Sequence, residues 1–150
     1  MSDPQKSNLM RSLKASVVGG IVAGIVFGIL MQMMGKMPMI AGMMGSQSIA
    51  VGWMIHMVIS IVFGAAFGMM ATNIKKVYLF GIVYGVMIWI VGPLLMMPLM
   101  MGMGTSLAAA FTPPQLMNLA THIMFALILS FVYQKNLRGG KVTASKNVSQ

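Results

Sequence analysis

Two histidines, His56 and His122, are the residues of this chain best equipped to do chemistry. Each lies ~7 residues inside a long apolar stretch, about 10 Å below its outer end at helical rise. An ionisable side chain at such a depth in a membrane is a candidate functional group. Methionine accompanies them, with 21 copies in 150 residues gathered mainly in two groups. Met31, Met33, Met34, Met37, Met39, Met43 and Met44 form the first, and Met96, Met97, Met100, Met101 and Met103 the second. Thioether sulfur is a soft, neutral ligand that suits Cu(I), and imidazole suits copper as well. His56, His122, Met37, Met39, Met43, Met44, Met97, Met100 and Met101 are therefore candidate ligands for a soft monovalent metal ion.

Other readings of the same residues stay open. Methionine is a flexible filler of irregular apolar gaps, and an outer methionine surface can be oxidised reversibly. Each imidazole can remain neutral and bond to Ser60, Ser130, Thr121 or Asn118. Two imidazoles on facing helices could also ligate one haem b, with neighbouring glycines leaving room for the porphyrin.

What is missing narrows the field. The chain has no cysteine, and Asp3 is its only acidic residue. Thiolate sites, paired-carboxylate catalysis, carboxylate-bound calcium or magnesium and a carboxylate proton relay are excluded within one chain. No nucleotide loop, zinc signature or Ser–His–acid set occurs. An enzyme is not expected.

Four stretches must position these residues: Ala15–Met34, Ile49–Ala71, Val77–Met97 and Gln115–Gln134. Each is apolar over the ~20 residues a helix needs to cross a ~30 Å hydrocarbon core. Runs of Gly, Leu, Met and Ile without strand-like alternation make helix the reading. The composition is 58% hydrophobic and 7% charged, far from the about 25% charged residues of soluble domains. The first span is too long for a signal-peptide core and has no cleavage pattern after it.

Nine of the ten basic residues fall on one side of the spans. They are Lys6, Arg11 and Lys14, then Lys75 and Lys76, then Lys135, Arg138, Lys141 and Lys146, leaving only Lys36 opposite. This bias places both termini in the cytoplasm and the protein in the inner or plasma membrane. It also accounts for the net charge of +9 without nucleic acid, and anionic lipid headgroups are the expected counter-charge of the tail. Lys36 is expected to snorkel to the outer headgroups. Tyr78 and Tyr133 are expected at the inner interface, and Trp53 and Trp89 toward the outer one. Residues 1–14 and 135–150 read as cytoplasmic segments, polar and unstructured. Pro93 should kink or end the third span, leaving Pro93–Pro114 irregular or re-entrant.

Small residues recur every four positions. Gly20, Gly24 and Gly28 do so in the first span. Gly52, His56, Ser60, Gly64 and Gly68 follow suit in the second, and Gly81 and Gly85 in the third. Such stripes let helix backbones approach closely in lipid. They serve packing within the bundle, packing against partner membrane helices, or a homo-oligomer contact. The chain also repeats itself: Gly20-Ile21-Val22-Ala23-Gly24 matches Gly81-Ile82-Val83-Tyr84-Gly85, and Ile55-His56-Met57 matches Thr121-His122-Ile123. The expected fold is all-α and integral to the membrane, four helices forming two tandem hairpins in parallel repeat, with spans two and four facing across the axis.

The run from Gly28-Ile29-Leu30-Met31 through Met37-Pro38-Met39-Ile40, followed by Gly52-Trp53 and His56, resembles small prokaryotic four-span membrane proteins of unknown function. The resemblance covers the first half and implies topology alone. The expected function is a small non-enzymatic membrane protein that binds or passes a small ligand, such as a soft monovalent metal, through its Met-rich outer half. The alternatives are an assembly protein packing partner helices through its glycine grooves, and a b-type haem protein.

Overall fold

A computed structural model describes the backbone of residues 3–148 and the side chains of residues 3–137. The expectations for the side chains of Arg138, Lys141 and Lys146 lie outside the described residues. Helix α1 spans Asp3–Met33, the short α2 Met37–Ala41, α3 Ile49–Ala71, α4 Val77–Trp89, α5 Met97–Met100 and α6 Pro113–Val148. Among the described residues there is no strand. Four helices are long and apolar enough to cross a membrane: Asp3–Met33, Ile49–Ala71, Val77–Met100 and Pro113–Leu137. The fold is an all-α, four-span bundle.

Its surface is that of a protein dissolved in lipid. Val18, Val22, Ile25 and Ile29 of α1, Met54, Val58 and Val62 of α3, Leu79 and Val83 of α4 and Phe131 of α6 all face outward. Ser12, Ser16, Ser60 and Ser130 are buried together with the glycines of α1, α3 and α4. Small and hydroxylated residues inside, branched apolar residues outside, is the arrangement expected where lipid already satisfies the apolar faces and close backbone packing drives association.

Helix α1 packs along both α3 and α6, and α6 along α4. The cyclic order is therefore α3, α1, α6, α4, with consecutive spans adjacent and α3 diagonal to α6. The two seams between the halves differ. Backbones of α1 and α6 lie close, whereas those of α3 and α4 barely meet. Aromatic side chains hold the second seam open: Phe67 stacks edge-on with Tyr84 and Tyr133, and Phe80 tilts against Phe67. The Tyr84 hydroxyl donates to the Phe63 carbonyl at 2.6 Å, tying α4 to α3. An internal two-fold would make the two seams equal, and they are not.

Several local expectations are corrected. Helix α1 begins at Asp3, so the N-terminal segment is helical where an unstructured one was expected, and α6 likewise continues to Val148. Thirty-one residues of α1 rise about 46 Å, more than the ~30 Å core, so its first turns stand beyond the hydrocarbon. Pro93 does not end the third span. Residues Ile90–Met96 widen into a π-helix in which Met97 N–H donates to the Gly92 carbonyl, five residues back. The wider turn accommodates a ring that would otherwise strike the carbonyl of Trp89. The irregular stretch is thus shorter than expected, Met101–Thr112, with one 3-10 turn at Leu107–Ala109.

The aromatic belt is also only partly as expected. Tyr78 is exposed, but Tyr133 and Trp89 are buried. At the basic end Ser12 Oγ donates to the Gly68 carbonyl at 2.7 Å, which leaves the Tyr133 hydroxyl as donor to Ser12 Oγ, also at 2.7 Å. These bonds join α1, α3 and α6 at one point. Ser12→Ala is expected to lower stability by about 1 kcal/mol, the usual size of such bonds in membrane bundles. A detergent unfolding titration checks this, with Tyr133→Phe costing less because it leaves the Ser12–Gly68 bond intact.

Candidate functional site

The outer end of the bundle is built by the end of α1. Gly35 adopts φ +67, Lys36 N–H donates to the Met31 carbonyl and Gly35 N–H to the Gln32 carbonyl. This pair of bonds is the Schellman stop, which favours glycine at the left-handed position. It turns the chain back over the bundle, so α2 lies across α3. Gly52 permits the crossing, because a Cβ there would collide with the Met37 carbonyl oxygen. Met37, Ile40 and Ala41 are consequently buried as a lid over the first hairpin.

The same turn aims Lys36 inward. Its Nζ donates to Asn118 Oδ1 at 3.0 Å, so Lys36 is bonded to α6 and does not simply snorkel outward. Asn118 in turn donates from Nδ2 to Gln115 Oε1 at 3.2 Å. Its backbone carbonyl accepts from Thr121 Oγ1 at 2.8 Å and from His122 Nδ1 at 2.6 Å. Across the bundle His56 Nε2 donates to the Gly24 carbonyl at 2.9 Å. His122 is therefore bonded to Asn118, one of the partners anticipated from the sequence, through that residue's backbone carbonyl, whereas His56 is bonded to the Gly24 carbonyl, which was not anticipated.

Phe27 of α1 packs against both histidines. Its ring centroid is 5.5 Å from that of His56 and 5.3 Å from that of His122, edge-on to both. Trp53 flanks His56 on the other side at 6.1 Å and donates its indole N–H to Gln32 Oε1. A neutral imidazole has one N–H and one lone pair. With Nε2–H of His56 and Nδ1–H of His122 given to carbonyls, His56 Nδ1 and His122 Nε2 carry the lone pairs. Those are the nitrogens available to a metal or to a donor ligand, each held in its tautomer by the opposite bond.

The methionines do not gather around this pair. Met37 is wholly buried in the lid, and Met43 and Met97 pack half-buried against the core. Met39, Met44, Met100 and Met101 are exposed. The two outer turns do meet, since a Cβ on Gly42 would lie 3.8 Å from Met101 Cε. Among the described residues no three His, Cys, Asp or Glu side chains gather in one place. The haem reading does not fit: the space beside the histidines is taken by Phe27 and Trp53, and Gly28 is closed over by the Trp53 ring and His56.

The glycine stripes are occupied within the chain. A Cβ on Gly20 would lie 2.6 Å from the Ser60 carbonyl oxygen, and one on Gly64 2.7 Å from the Ser16 carbonyl oxygen. Gly24 faces Ser60, Gly68 faces Ser16, Gly81 faces Ser130, and Gly85 faces the backbone of Ile123. All eight predicted packing positions, Gly20, Gly24, Gly28, Ser60, Gly64, Gly68, Gly81 and Gly85, thus lie at the α1–α3 or α4–α6 contact. Sequence reasoning missed Phe27, Lys36 and the Gly52–Met37 crossing. The glycine at Gly35 was the available signal for Lys36, because a Schellman stop directs the following residue.

Fold and surface together define a small multi-pass α-helical membrane protein. No protein-family model, no curated protein and no solved structure matches the chain.

Proposed function

We propose that this protein is a non-enzymatic component of the inner or plasma membrane, with both termini cytoplasmic, whose outer half holds a small soft ligand. A monovalent Cu(I)-like ion is the candidate, bound through His56 Nδ1 and His122 Nε2. One observation carries the reading: both imidazoles hand their N–H to a carbonyl and keep a lone pair, and both pack on the same Phe27 ring. The exposed Met39, Met44, Met100 and Met101 then act as a capture surface of weak thioether ligands above the pair. Bases of orientation are the basic residues Lys6, Arg11, Lys14, Lys75, Lys76 and Lys135 at one end of the bundle, which support the cytoplasmic assignment.

Anaerobic titration of the purified protein with Ag(I), a redox-inert stand-in for Cu(I), tests the reading. About one equivalent should bind, with His56→Ala and His122→Ala each reducing affinity at least tenfold, as expected when one of few ligands is lost. Stoichiometric binding that survives both substitutions would refute it.

The assembly reading has a different footing from the one the sequence suggested. Since the glycine grooves are filled internally, self-association or a partner helix would use outward residues, and the exposed outer segment with Met103, Leu107 and Phe111 favours that surface.

A further inference from the structure

At the opposite end of the bundle the geometry points to a site for the phosphate of an anionic phospholipid, on the outward side of α1. An open cleft of about 520 Å³ lies there, lined by Ser7, Met10, Arg11, Lys14, Ala15, Val18 and Asn136. Ser7, Arg11, Lys14 and Val18 follow one another at three- and four-residue steps, so they form a single stripe down the helix. The top of the stripe is basic and hydroxylated. Its lower part, at Val18, is apolar and exposed, while the exposed Met10 lies next to Arg11 at the upper end.

The spacing matches a lipid. Seven residues separate Arg11 from Val18, a rise of about 10 Å, comparable with the step from phosphate level into the hydrocarbon. A phosphodiester at Arg11 and Lys14 would therefore send its acyl chain along Val18 and the exposed Val22. Arg11 is fixed in place for this role: Nη2 donates to the Leu137 carbonyl at 2.6 Å. A guanidinium has five N–H donors in a planar fork, so the rest can face a phosphate. Few carboxylates compete: Asp3 is the only acidic side chain of the chain, and it precedes Arg11 by eight residues on the same helix, about 12 Å of rise. The charge of this cleft is left for an external anion, and a membrane supplies one at this depth. The inference is independent of the metal reading.

Native mass spectrometry of the protein in detergent, with added phosphatidylglycerol or phosphatidylcholine, tests it. Phosphatidylglycerol should be retained preferentially. Lys14→Gln should reduce that retention about fivefold, the size of one basic contact at a membrane surface. Arg11→Gln should reduce it at least as much, while Lys76→Gln, outside the cleft, should leave it unchanged. Lys14 is exposed, so its variant tests the site without disturbing the bundle. A tenfold excess of inorganic phosphate should not displace the lipid; displacement would show a free-phosphate site instead. Equal retention of the two lipids, or equal losses from Lys14→Gln and Lys76→Gln, would overturn the proposal.

Discussion

Gly64→Leu should unfold at a markedly lower denaturant concentration than the parent protein, with a loss of about 3 kcal/mol, the upper part of the range for overpacked cores. The atoms in the way are backbone. A Cβ at this position meets the Ser16 carbonyl oxygen at 2.7 Å and Gly20 Cα at 2.9 Å, and no rotamer change moves either. The helices α1 and α3 must separate, and separation forfeits dispersion along the bundle's most extensive contact, for which lipid offers no hydrophobic compensation. Gly42→Ala supplies the contrast, because its backbone is helical and the nearest atom to its Cβ position, Met101 Cε, lies at an ordinary 3.8 Å. It should change stability by less than about 0.5 kcal/mol. Sodium dodecyl sulfate titration followed by circular dichroism reads both. If Gly64→Leu melted with the parent, the packing of α1 on α3 described above would be wrong.

Lys36→Met should tighten Ag(I) binding about tenfold, opposite in direction to the histidine variants. The Lys36 ammonium is bonded to the Asn118 side chain, whose backbone carbonyl fixes His122. A cation at His122 Nε2 therefore experiences a fixed positive charge nearby, with no acidic side chain among the outer residues to offset it. At an effective dielectric constant of about 20, removing such a charge is worth on the order of a kilocalorie or more. Methionine keeps an unbranched, flexible side chain, one atom shorter, and adds a soft ligand. Isothermal titration under nitrogen separates the outcomes. Unchanged or weaker binding in Lys36→Met would place the metal away from His122, and the two-histidine site would fall.

Much of the fold was legible because the bilayer imposes simple rules. The span Ile49–Ala71 coincides with α3, and the third span starts at Val77 as read, because charged residues and Asn73 punctuate an otherwise apolar run. The ends that protrude into water were not legible. Asp3–Lys14 is polar and reads as unstructured, yet Ser12 bonds to Gly68 and Tyr133 on two other helices. Proline at position 93 signalled a break, but a π-turn absorbs the ring and lets the span run on to Met100.

The candidate site divides in the same way. His56 and His122 stood out as deep ionisable residues, and their depth follows from counting. Asn118, one turn before His122, was among the expected partners, but the partner of His56 did not follow from counting. Gly24 lies thirty-two positions from His56, and its carbonyl is accessible only because a glycine stripe brings α1 against α3. The methionines misled for a related reason: clustering along the chain says nothing about whether sulfurs share a centre, and Met37 is buried while Met39, two residues on, is exposed.

Composition and charge distribution alone determined that the chain holds four helices long and apolar enough to cross a bilayer, with nine of its ten basic residues on one side of them. Transfer of apolar side chains into lipid and of charges into water is additive along the chain, so it can be read residue by residue. Which surfaces the glycines serve, which carbonyls orient the imidazoles and where Lys36 and Arg11 come to rest were decided by the tertiary structure. Those outcomes depend on contacts between residues far apart in sequence, and only the packed helices bring such residues within a hydrogen bond of one another.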